Sequence, residues 1–363
     1  MEKSDDIRLK TDEMYMRRCL ELAENGRENA APNPMVGAVI VHDGQIIGEG
    51  YHVRCGEGHA EVNAIASVKD PSLLPSSTLY VSLEPCSHYG KTPPCADLII
   101  SRHIPRVVVG CGDPFAKVAG RGIRKLREAG IDVTVGVLED ECRALNCRFM
   151  TFQTHKRPYV TLKWAETADG YIDSNRPAND RPARLSTPLT RMLVHKHRAE
   201  NQAILVGRKT AVLDNPALTV RDWYGRNPVR LVIDPDCTLP AGLRLFNGEV
   251  PTVVFSDIDK LLSRAMDKSA LDNVTFVGGD IRRDALKTIF GYLYKHNLQS
   301  LLVEGGANTL QRFIDAGAWD ECFREVTASI LGDGIQAPVL KKAVLADAQT
   351  LDGHTLLHYR RRG

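Results

Sequence analysis

The sequence predicts an α/β protein built from two domains. Its 363 residues are too many for one typical domain and suit two. Short β-type runs alternate with amphipathic helical stretches in both halves of the chain. A polar joint at 151–158 separates the two patterns. We therefore expect domains at 1–150 and 151–363.

The composition is that of a soluble globular protein, with 43% hydrophobic and 25% charged residues. A net charge of +2 gives no indication of nucleic acid as a partner. No apolar run approaches the roughly 20 residues of a membrane helix, so no membrane partner is expected. The start of the chain does not resemble a signal peptide, and the nine cysteines are an odd number. We expect a cytoplasmic protein whose cysteines are ligands or buried side chains.

The first half begins with a helix, followed by a hairpin and an alternating pattern. Thr11-Asp12-Glu13 predicts the start of the helix, because side-chain oxygens there can bond to its unpaired backbone donors. Its apolar face comprises Tyr15, Met16, Cys19, Leu20, Leu22 and Ala23. The pair Asp43-Gly44 between two β-type runs predicts a hairpin. Helices are then predicted at His59–Val68, Cys95–Ser101, Gly120–Ala129 and Glu139–Phe149, and strands at Leu79–Leu83, Val107–Gly110 and Ile131–Val137.

The second half repeats the alternation of strands and helices. Strands are predicted at Tyr159–Lys163, Ala203–Val206, Val229–Ile233, Thr252–Phe255, Val274–Val277, Leu301–Val303 and Thr355–Tyr359. Helices are predicted at Pro188–Ala199, Asp284–Asn297 and Asn308–Ala316.

A candidate metal site is formed by His59, Cys86 and Cys95. Three nitrogen or sulfur ligands with one open position are typical of a catalytic zinc. The ligands lie near the N-termini of predicted helices, where partial positive charge favours thiolate. Zinc lowers the pKa of a bound water toward ~7, and Glu61 can pass the water's proton to departing ammonia.

Each of these residues alone has an ordinary structural explanation. A single histidine or cysteine is more often structural than a ligand, and Glu61 alone suits the first turn of any helix. A closed structural zinc would need a fourth ligand, for which His88 and Cys55 are candidates. The arrangement of the set, rather than any one member, favours a catalytic site.

The motifs carry a family resemblance. His59-Ala60-Glu61 with Pro85-Cys86 resembles the cytidine and deoxycytidylate deaminase superfamily, in which two residues separate the cysteines. Here eight residues separate them, as in the bifunctional riboflavin-biosynthesis deaminase–reductase family. The segments Pro32–Gly37, Gly48–His52 and Gly112–Pro114 also resemble that family. The resemblance implies a cytidine-deaminase-like three-layer domain in which Asn33, His52 and Asp113 line the pyrimidine site.

The long spacer between the cysteines has a physical interpretation. Lys91 and His88 would place positive charge near the ribose phosphate of the substrate. The alternative for Lys91 is a solvated loop lysine.

The second half resembles the reductase domain of the same family, which has a dihydrofolate-reductase-like fold. The resemblance rests on the segments Leu162–Ala165, Ala168–Gly170, Ala203–Thr210, Leu213–Arg221 and Glu304–Ala307. It implies that NADPH is contacted by Ala165, Thr210, Asp214 and the segment Gly306, Ala307, Asn308, Thr309, Leu310, Gln311 and Arg312. It implies that the sugar phosphate is contacted by Arg198, Leu218, Arg221 and Glu304.

The residue chemistry of this half agrees with a dinucleotide site. The cations and hydroxyl of Gly207–Thr210 suit a 2′-phosphate, and Glu304–Gly306 suits a pyrophosphate, although it could equally be a tight turn. Neither a Walker A loop nor G-x-G-x-x-G is present. Glu304 and Lys163 are candidates for polarising or protonating the opened ribose. Many family members carry Ser-x-Trp where this chain has Pro182 and Arg184, so contacts made there are not carried over.

The resemblance implies a two-step enzyme that uses zinc and NADPH on a small phosphorylated pyrimidine. It would deaminate 2,5-diamino-6-ribosylamino-4(3H)-pyrimidinone 5′-phosphate and then reduce the ribosyl to the ribityl side chain. Reductase domains of this kind commonly pair, which implies a homo-oligomer. One rival is a tRNA or nucleotide deaminase, which predicts a basic face and a two-residue cysteine spacer. Another is a deaminase with an impaired or non-catalytic reductase-like half, which the substitutions at Pro182 and Arg184 leave open.

Overall fold

The computed structural model describes residues 2–87, 93–115, 119–177, 180–263 and 273–362. The chain forms two compact units, Met1–Lys156 and Arg157–Gly363. Strands and helices alternate in both, as the α/β class requires. Within the described ranges, no helix is long and apolar enough to cross a membrane.

The first unit, as far as it is described, is built on a five-stranded sheet of order β2-β1-β3-β4-β5. Strand β1 runs antiparallel to β2 and β3, whereas β3, β4 and β5 are parallel. The strands are β1 (Gly37–His42), β2 (Gln45–Tyr51), β3 (Thr78–Leu83), β4 (Arg106–Cys111) and β5 (Asp132–Val135). The helices are α1 (Glu2–Glu24), α2 (Ala60–Ser67), α3 (Cys95–Ser101), α4 (Arg121–Glu128), α5 (Glu139–Leu145) and α6 (Cys147–His155), with a 3₁₀ turn at Pro71–Ser76.

The hairpin between β1 and β2 is confirmed. Its turn residues Asp43 and Gly44 have φ angles of 45° and 74°. Two successive positive φ angles match the twist of the flanking strands, which is why Asp-Gly is favoured there.

Helix α1 begins at Glu2, so its predicted start at Thr11 is wrong. Asp12 does not cap the helix, because its buried carboxylate accepts hydrogen bonds from Tyr80 Oη at 2.9 Å and Arg106 Nη2 at 2.6 Å. The apolar face is confirmed, since Met16 and Cys19 are fully buried in the core beneath the helix.

The end of the first unit is also more helical than expected. Residues 151–155, predicted to belong to a polar joint, continue helix α6, and residue 150 lies inside it. Phe149, Met150 and Phe152 are buried, so packing extends the helix through the polar segment. Asn146 separates α5 from α6, where its side chain accepts from Met35 N and donates to Met35 O, both at 2.8 Å.

The described part of the second unit contains a nine-stranded sheet of order β11-β10-β9-β8-β12-β6-β13-β16-β15. All neighbours are parallel except β13–β16 and β16–β15. The strands are β6 (Tyr159–Glu166), β8 (Ala203–Gly207), β9 (Val229–Ile233), β10 (Thr252–Asp257), β11 (Val274–Gly279), β12 (Ser300–Gly305), β13 (Glu321–Val326), β15 (Ala343–Leu351) and β16 (His354–Arg361), and β7 (Tyr171–Asp173) pairs separately with β14 (Ile335–Gln336). The helices are α7 (Pro188–Ala199), α8 (Arg208–Asp214), α9 (Ile258–Ser263), α10 (Ile281–Lys295) and α11 (Ala307–Asp315), with a 3₁₀ turn at Arg244–Phe246.

The two sides of strand β6 differ in character, because one packs into the hydrophobic core of the second unit and the other carries polar side chains. Val160, Leu162 and Trp164 are buried in the hydrophobic cluster on one side. Because side chains alternate along a strand, Thr161, Lys163 and Ala165 point to the opposite side. We call that side, with the residues that share it on neighbouring strands, the polar face.

Neighbouring strands place two acids, Glu325 and Glu304, close to Lys163 on the polar face. The register places Phe323 of β13 opposite Lys163 and Glu325 opposite Ala165. On the other side, β12 pairs Val303 with Leu162, so Glu304 follows beside Lys163. Strand pairing therefore gathers residues that are far apart in sequence.

Candidate functional site

The three predicted zinc ligands meet in the first unit. His59 is the N-cap of α2, Cys86 follows the end of β3, and Cys95 is the first residue of α3. His59 Nδ1 lies 3.5 Å from Cys86 Sγ and 3.3 Å from Cys95 Sγ, and the three atoms all lie within 4.8 Å of one another. Tetrahedral zinc with ordinary bond lengths separates a nitrogen and a sulfur ligand by roughly 3.6 Å. The donor set and its spacing therefore fit a zinc ion.

The electrostatics of the cluster favour a bound cation. A hydrogen bond from Cys95 and the neighbouring His59 lower the pKa of the Cys86 thiol to about 4. The same hydrogen bond raises the pKa of Cys95. Backbone donation from Cys95 N to Cys86 Sγ, at 3.3 Å, further stabilises the thiolate.

Glu61 is the second residue of α2, beside the ligands, and is only 3% exposed. Burial raises the pKa of this carboxyl to about 7, and the charge of His59 opposes the shift. A carboxyl group that can gain and lose a proton near neutral pH suits a proton shuttle.

His52 adjoins the cluster through His59 and is bonded to Asn33. The His52 ring meets the His59 ring edge-on at a centroid distance of 5.4 Å. His52 Nδ1 faces the carbonyl oxygen of Gly58 at 3.1 Å, so Nδ1 carries the proton and Nε2 accepts from Asn33 Nδ2 at 3.0 Å. Burial lowers the pKa of His52, which agrees with a neutral ring.

Asp113 is held near the ligand loop by Glu84, a residue that the sequence patterns did not single out. Asp113 N donates to Glu84 Oε2 at 3.3 Å, and burial raises the pKa of the Asp113 carboxyl to about 6. Glu84 also accepts from the backbone of Gly120, Gly122 and Ile123. It therefore ties the segment before Cys86 to the loop that carries Asp113.

Several predicted residues lie outside this cluster or outside the described structure. Lys91 and His88 fall within 88–92, which is not described. Cys55 is exposed and, among the residues with described positions, does not join the metal-binding group. The described chain thus offers three ligands at this site.

The predicted cofactor segments of the second unit also converge. Gly207 ends β8, and a Cβ added to it would approach Thr309 Oγ1 to 2.5 Å. Gly306, at φ 71°, precedes α11, and a Cβ there would lie 3.0 Å from Thr210 Oγ1. Glycines thus bring the starts of α8 and α11 together, where free backbone amides suit the phosphates of a dinucleotide.

Lys163 and Glu304 lie side by side on the polar face. Arg198 holds Glu304 through two hydrogen bonds of 2.7 and 2.6 Å. Although burial alone would raise it, the pKa of Glu304 is lowered by Arg198. Burial also lowers the pKa of Lys163. Lys163 is therefore the better proton donor of the two candidates.

Comparison with known proteins assigns both units. Residues 158–355 match the model of the RibD C-terminal domain, and residues 9–111 match the cytidine and deoxycytidylate deaminase zinc-binding region. The chain is 38% identical to the riboflavin biosynthesis protein RibD of Aquifex aeolicus, covering 89% of each sequence. The chain belongs to the RibD family.

Solved structures agree with this assignment. A diaminohydroxyphosphoribosylaminopyrimidine deaminase/5-amino-6-(5-phosphoribosylamino)uracil reductase from Thermotoga maritima superposes with a TM-score of 0.85 at 36% identity, covering 98% of this chain and 99% of that one. RibD of Acinetobacter baumannii gives a TM-score of 0.85 at 32% identity, over 97% and 99%. RibD of Escherichia coli is 36% identical over 93% of this chain and 94% of its own. The fold class expected from the sequence is confirmed for both units.

Not all residues expected from the RibD resemblance present a side chain to a ligand. Leu218 and Leu310 are 2% and 1% exposed and pack into hydrophobic clusters, so only their backbone can contact a ligand. The Gln311 amide is bonded to Asp315 and to the Val339 backbone. The Asp214 carboxylate is paired with Arg176. The side chains of Leu218 and Leu310 therefore stabilise the hydrophobic core.

His195 was missed because its role depends on tertiary contacts. This buried ring accepts from Arg221 N at 2.8 Å through Nδ1, and burial lowers its pKa. It therefore fixes the backbone that carries Arg221, a residue expected at the RibD sugar-phosphate site.

The departures from the RibD pattern at Pro182 and Arg184 lie on the surface, where both side chains are exposed. Ala183 between them donates its N–H to Asp173 Oδ1 at 3.0 Å. Ser186, three residues after Ala183, donates to the buried Glu325 at 2.7 Å. This segment therefore keeps its attachment to the sheet.

Proposed function

We propose that this chain catalyses two consecutive steps of riboflavin biosynthesis on one phosphorylated pyrimidine. The first unit removes the 2-amino group of 2,5-diamino-6-ribosylamino-4(3H)-pyrimidinone 5′-phosphate by hydrolysis. The second unit reduces the ribosyl group of the product to ribityl with NADPH. The observation that carries the first step is the cluster of His59, Cys86 and Cys95 beside the buried Glu61.

In the deaminase step, His59, Cys86 and Cys95 would hold zinc, which supplies an activated water at neutral pH. Glu61 takes a proton from that water and delivers it to the leaving amino group. Asn33, the neutral His52 and Asp113 orient the pyrimidine by hydrogen bonds. Lys91 of the cysteine spacer neutralises the substrate phosphate.

In the reductase step, NADPH bound to the second unit would supply a hydride for ribose C1. Ala165, Thr210, Asp214 and the segment 306–312 bind the cofactor, with Leu310 contributing through its backbone. Arg198, Leu218, Arg221 and Glu304 bind the sugar phosphate, and His195 orients Arg221. Lys163 delivers the proton that accompanies reduction, because Arg198 keeps Glu304 ionised.

The deaminase assignment is tested by comparing Glu61→Gln with Glu57→Gln. Glu57 is exposed and precedes α2, so its substitution tests for non-specific effects. Loss of one general acid–base group should slow ammonia release by about 10²–10⁴-fold, while zinc content stays at one ion per chain. Undiminished ammonia release by Glu61→Gln would refute the shuttle. Absence of zinc from the purified chain would refute the metal assignment.

The reductase assignment is tested with the same batch of protein. NADPH absorbance is followed after addition of the deaminated intermediate, and the ribityl product is identified by mass. Oxidation of NADPH only when the intermediate is present is the expected result. Deamination without NADPH oxidation would instead identify a deaminase with an impaired reductase half.

We also propose that the chain works in the cytoplasm as a homo-oligomer, without nucleic acid or membrane partners. Strand β15 lies at the edge of its sheet, where Val344 and Leu345 are about half exposed. An exposed apolar edge strand is commonly covered by another chain. Light scattering should give a mass above that of one 40.1 kDa chain. A monomer at micromolar concentration would contradict the proposal.

A further inference from the structure

A buried glutamate, Glu325, joins Lys163 to a histidine on the polar face. Its side chain is 3% exposed. Lys163 Nζ lies 3.8 Å from Glu325 Oε2, which also accepts from Ser186 Oγ at 2.7 Å. His354 Nδ1 lies 2.7 Å from the other oxygen, Oε1. The carboxylate therefore stands between an ammonium group and an imidazole.

The contacts of Glu325 keep it ionised. Burial opposes ionisation, but Lys163 together with the hydrogen bonds from Ser186 and His354 holds the pKa of Glu325 below its ordinary value. A buried carboxylate is tolerated only with such partners. The hydrogen bond to Oε1 is donated by His354 Nδ1–H, so Nε2 is the ring nitrogen that can accept a proton.

Lys163 needs a route by which it regains a proton after each turnover. In the part of the chain that the structure describes, Glu325, Glu304 and Arg198 act electrostatically on Lys163, and Lys163 acts on His197. Glu304 is committed to Arg198, and burial keeps the pKa of His197 at about 4. Glu325 is the remaining neighbour that can pass on a proton. The His354 side chain is 13% exposed, so it can exchange protons with water.

We propose that His354 and Glu325 form the path that returns a proton to Lys163 during the reduction. This inference rests on the proposed reductase function. As the hydride adds to C1 of the opened sugar, its C1–N double bond becomes single and the nitrogen takes a proton from Lys163 Nζ. As water protonates His354 at Nε2, the Nδ1 proton passes to Glu325 Oε1. The carboxyl group then turns about its Cγ–Cδ bond, which brings the protonated oxygen to Lys163 Nζ, and Lys163 takes the proton. Exchange with water returns the ring proton of His354 from Nε2 to Nδ1, so each proton given to the product is replaced by one from water.

The two histidines of β16 provide a matched test. His358 pairs with Glu321 at 3.2 Å, on the same two strands as His354 and Glu325, but makes no described contact with Lys163. His354→Asn keeps a hydrogen-bond donor near Glu325 and removes the imidazole ring. His358→Asn makes the same chemical change in the control pair.

His354→Asn should lower kcat about tenfold or more, with KM, NADPH affinity and thermal midpoint unchanged. Added imidazole should restore part of the rate in proportion to its concentration, which a merely structural role would not produce. Glu325→Gln should lower kcat further, and His358→Asn should behave as wild type.

Several results would overturn the proton path. Wild-type kcat in His354→Asn, or a slow His354→Asn that imidazole does not accelerate, would each refute it. If Glu325→Gln fails to fold, His354→Asn alone decides. An unaltered enzyme that never oxidises NADPH would refute the proposed reductase function, whereas a failure confined to the variants concerns only the path.

Discussion

The substitution Glu84→Gln should destabilise the first unit strongly, although it keeps the size of the side chain. The Glu84 carboxylate accepts from four backbone N–H groups, two on each oxygen: Asp113 and Gly120 on Oε2, Gly122 and Ile123 on Oε1. A carboxamide has one oxygen, so in either orientation two backbone donors face an NH₂ group. Each buried donor left unsatisfied costs about 1–3 kcal/mol. The free energy of unfolding should fall by about 2–6 kcal/mol.

The location of the tryptophans provides the assay. Trp164, Trp223 and Trp319 all belong to the second unit, so their fluorescence in urea reports that unit. Far-UV circular dichroism reports both units. Glu84→Gln should shift a dichroism transition to lower urea and leave the fluorescence transition in place.

The exposed Glu128 in α4 provides the control. Glu128→Gln should change the free energy of unfolding by no more than about 0.5 kcal/mol. A Glu84→Gln variant within that same range, or one that shifts both transitions equally, would refute the argument from backbone donors.

Two further predictions concern the second unit. Arg230→Met should lower its free energy of unfolding by about 3 kcal/mol or more, because the fully buried guanidinium donates to the carbonyls of Val250 and Ala217 and these would be left unpaired. Urea titration followed by fluorescence measures this, and an unchanged midpoint would contradict it. Burial lowers the pKa of His197 from its ordinary value of 6.5 to about 4, so the unfolded state binds more protons between these values. Stability should fall by up to about 3 kcal/mol as the pH drops through that window, and His197→Gln should flatten the dependence measured by thermal unfolding; a variant with the wild-type slope would count against the assignment.

Local patterns predicted the parts of the fold that depend on local physics. The Asp43-Gly44 turn and the buried strands β8, β9 and β12 were found because turn geometry and apolar runs are visible in a short window. Strand β13 was missed, since its sequence Glu-Cys-Phe-Arg-Glu-Val neither alternates strictly nor forms an apolar run, and its partners lie far away in the chain. Thr11 looked like a helix start because Asp12 follows it, but the acid serves Arg106 instead.

The candidate site also contains residues that local patterns predicted and residues that they missed. His59, Glu61, Cys86 and Cys95 were predicted from motif and spacing, and the structure brings the three ligands within 4.8 Å. Residues that act through tertiary partners gave no local signal; these are Glu84, His195 and Glu325. Residue identity also cannot distinguish a side-chain contact from a backbone one, which is why Leu218 was expected at a ligand although its side chain is in the core.

The alternation along β6 has a consequence for how this enzyme can change. Trp164 packs into the core while Lys163, its neighbour in the chain, points to the polar face. A substitution of Lys163 can alter chemistry while Trp164 keeps its place in the core. A single inserted residue would exchange the two sides over the rest of the strand, turning Lys163 toward the hydrophobic core and Trp164 toward the polar face. The sequence of this strand can therefore change by substitution, whereas an insertion or deletion within it would abolish folding and catalysis together.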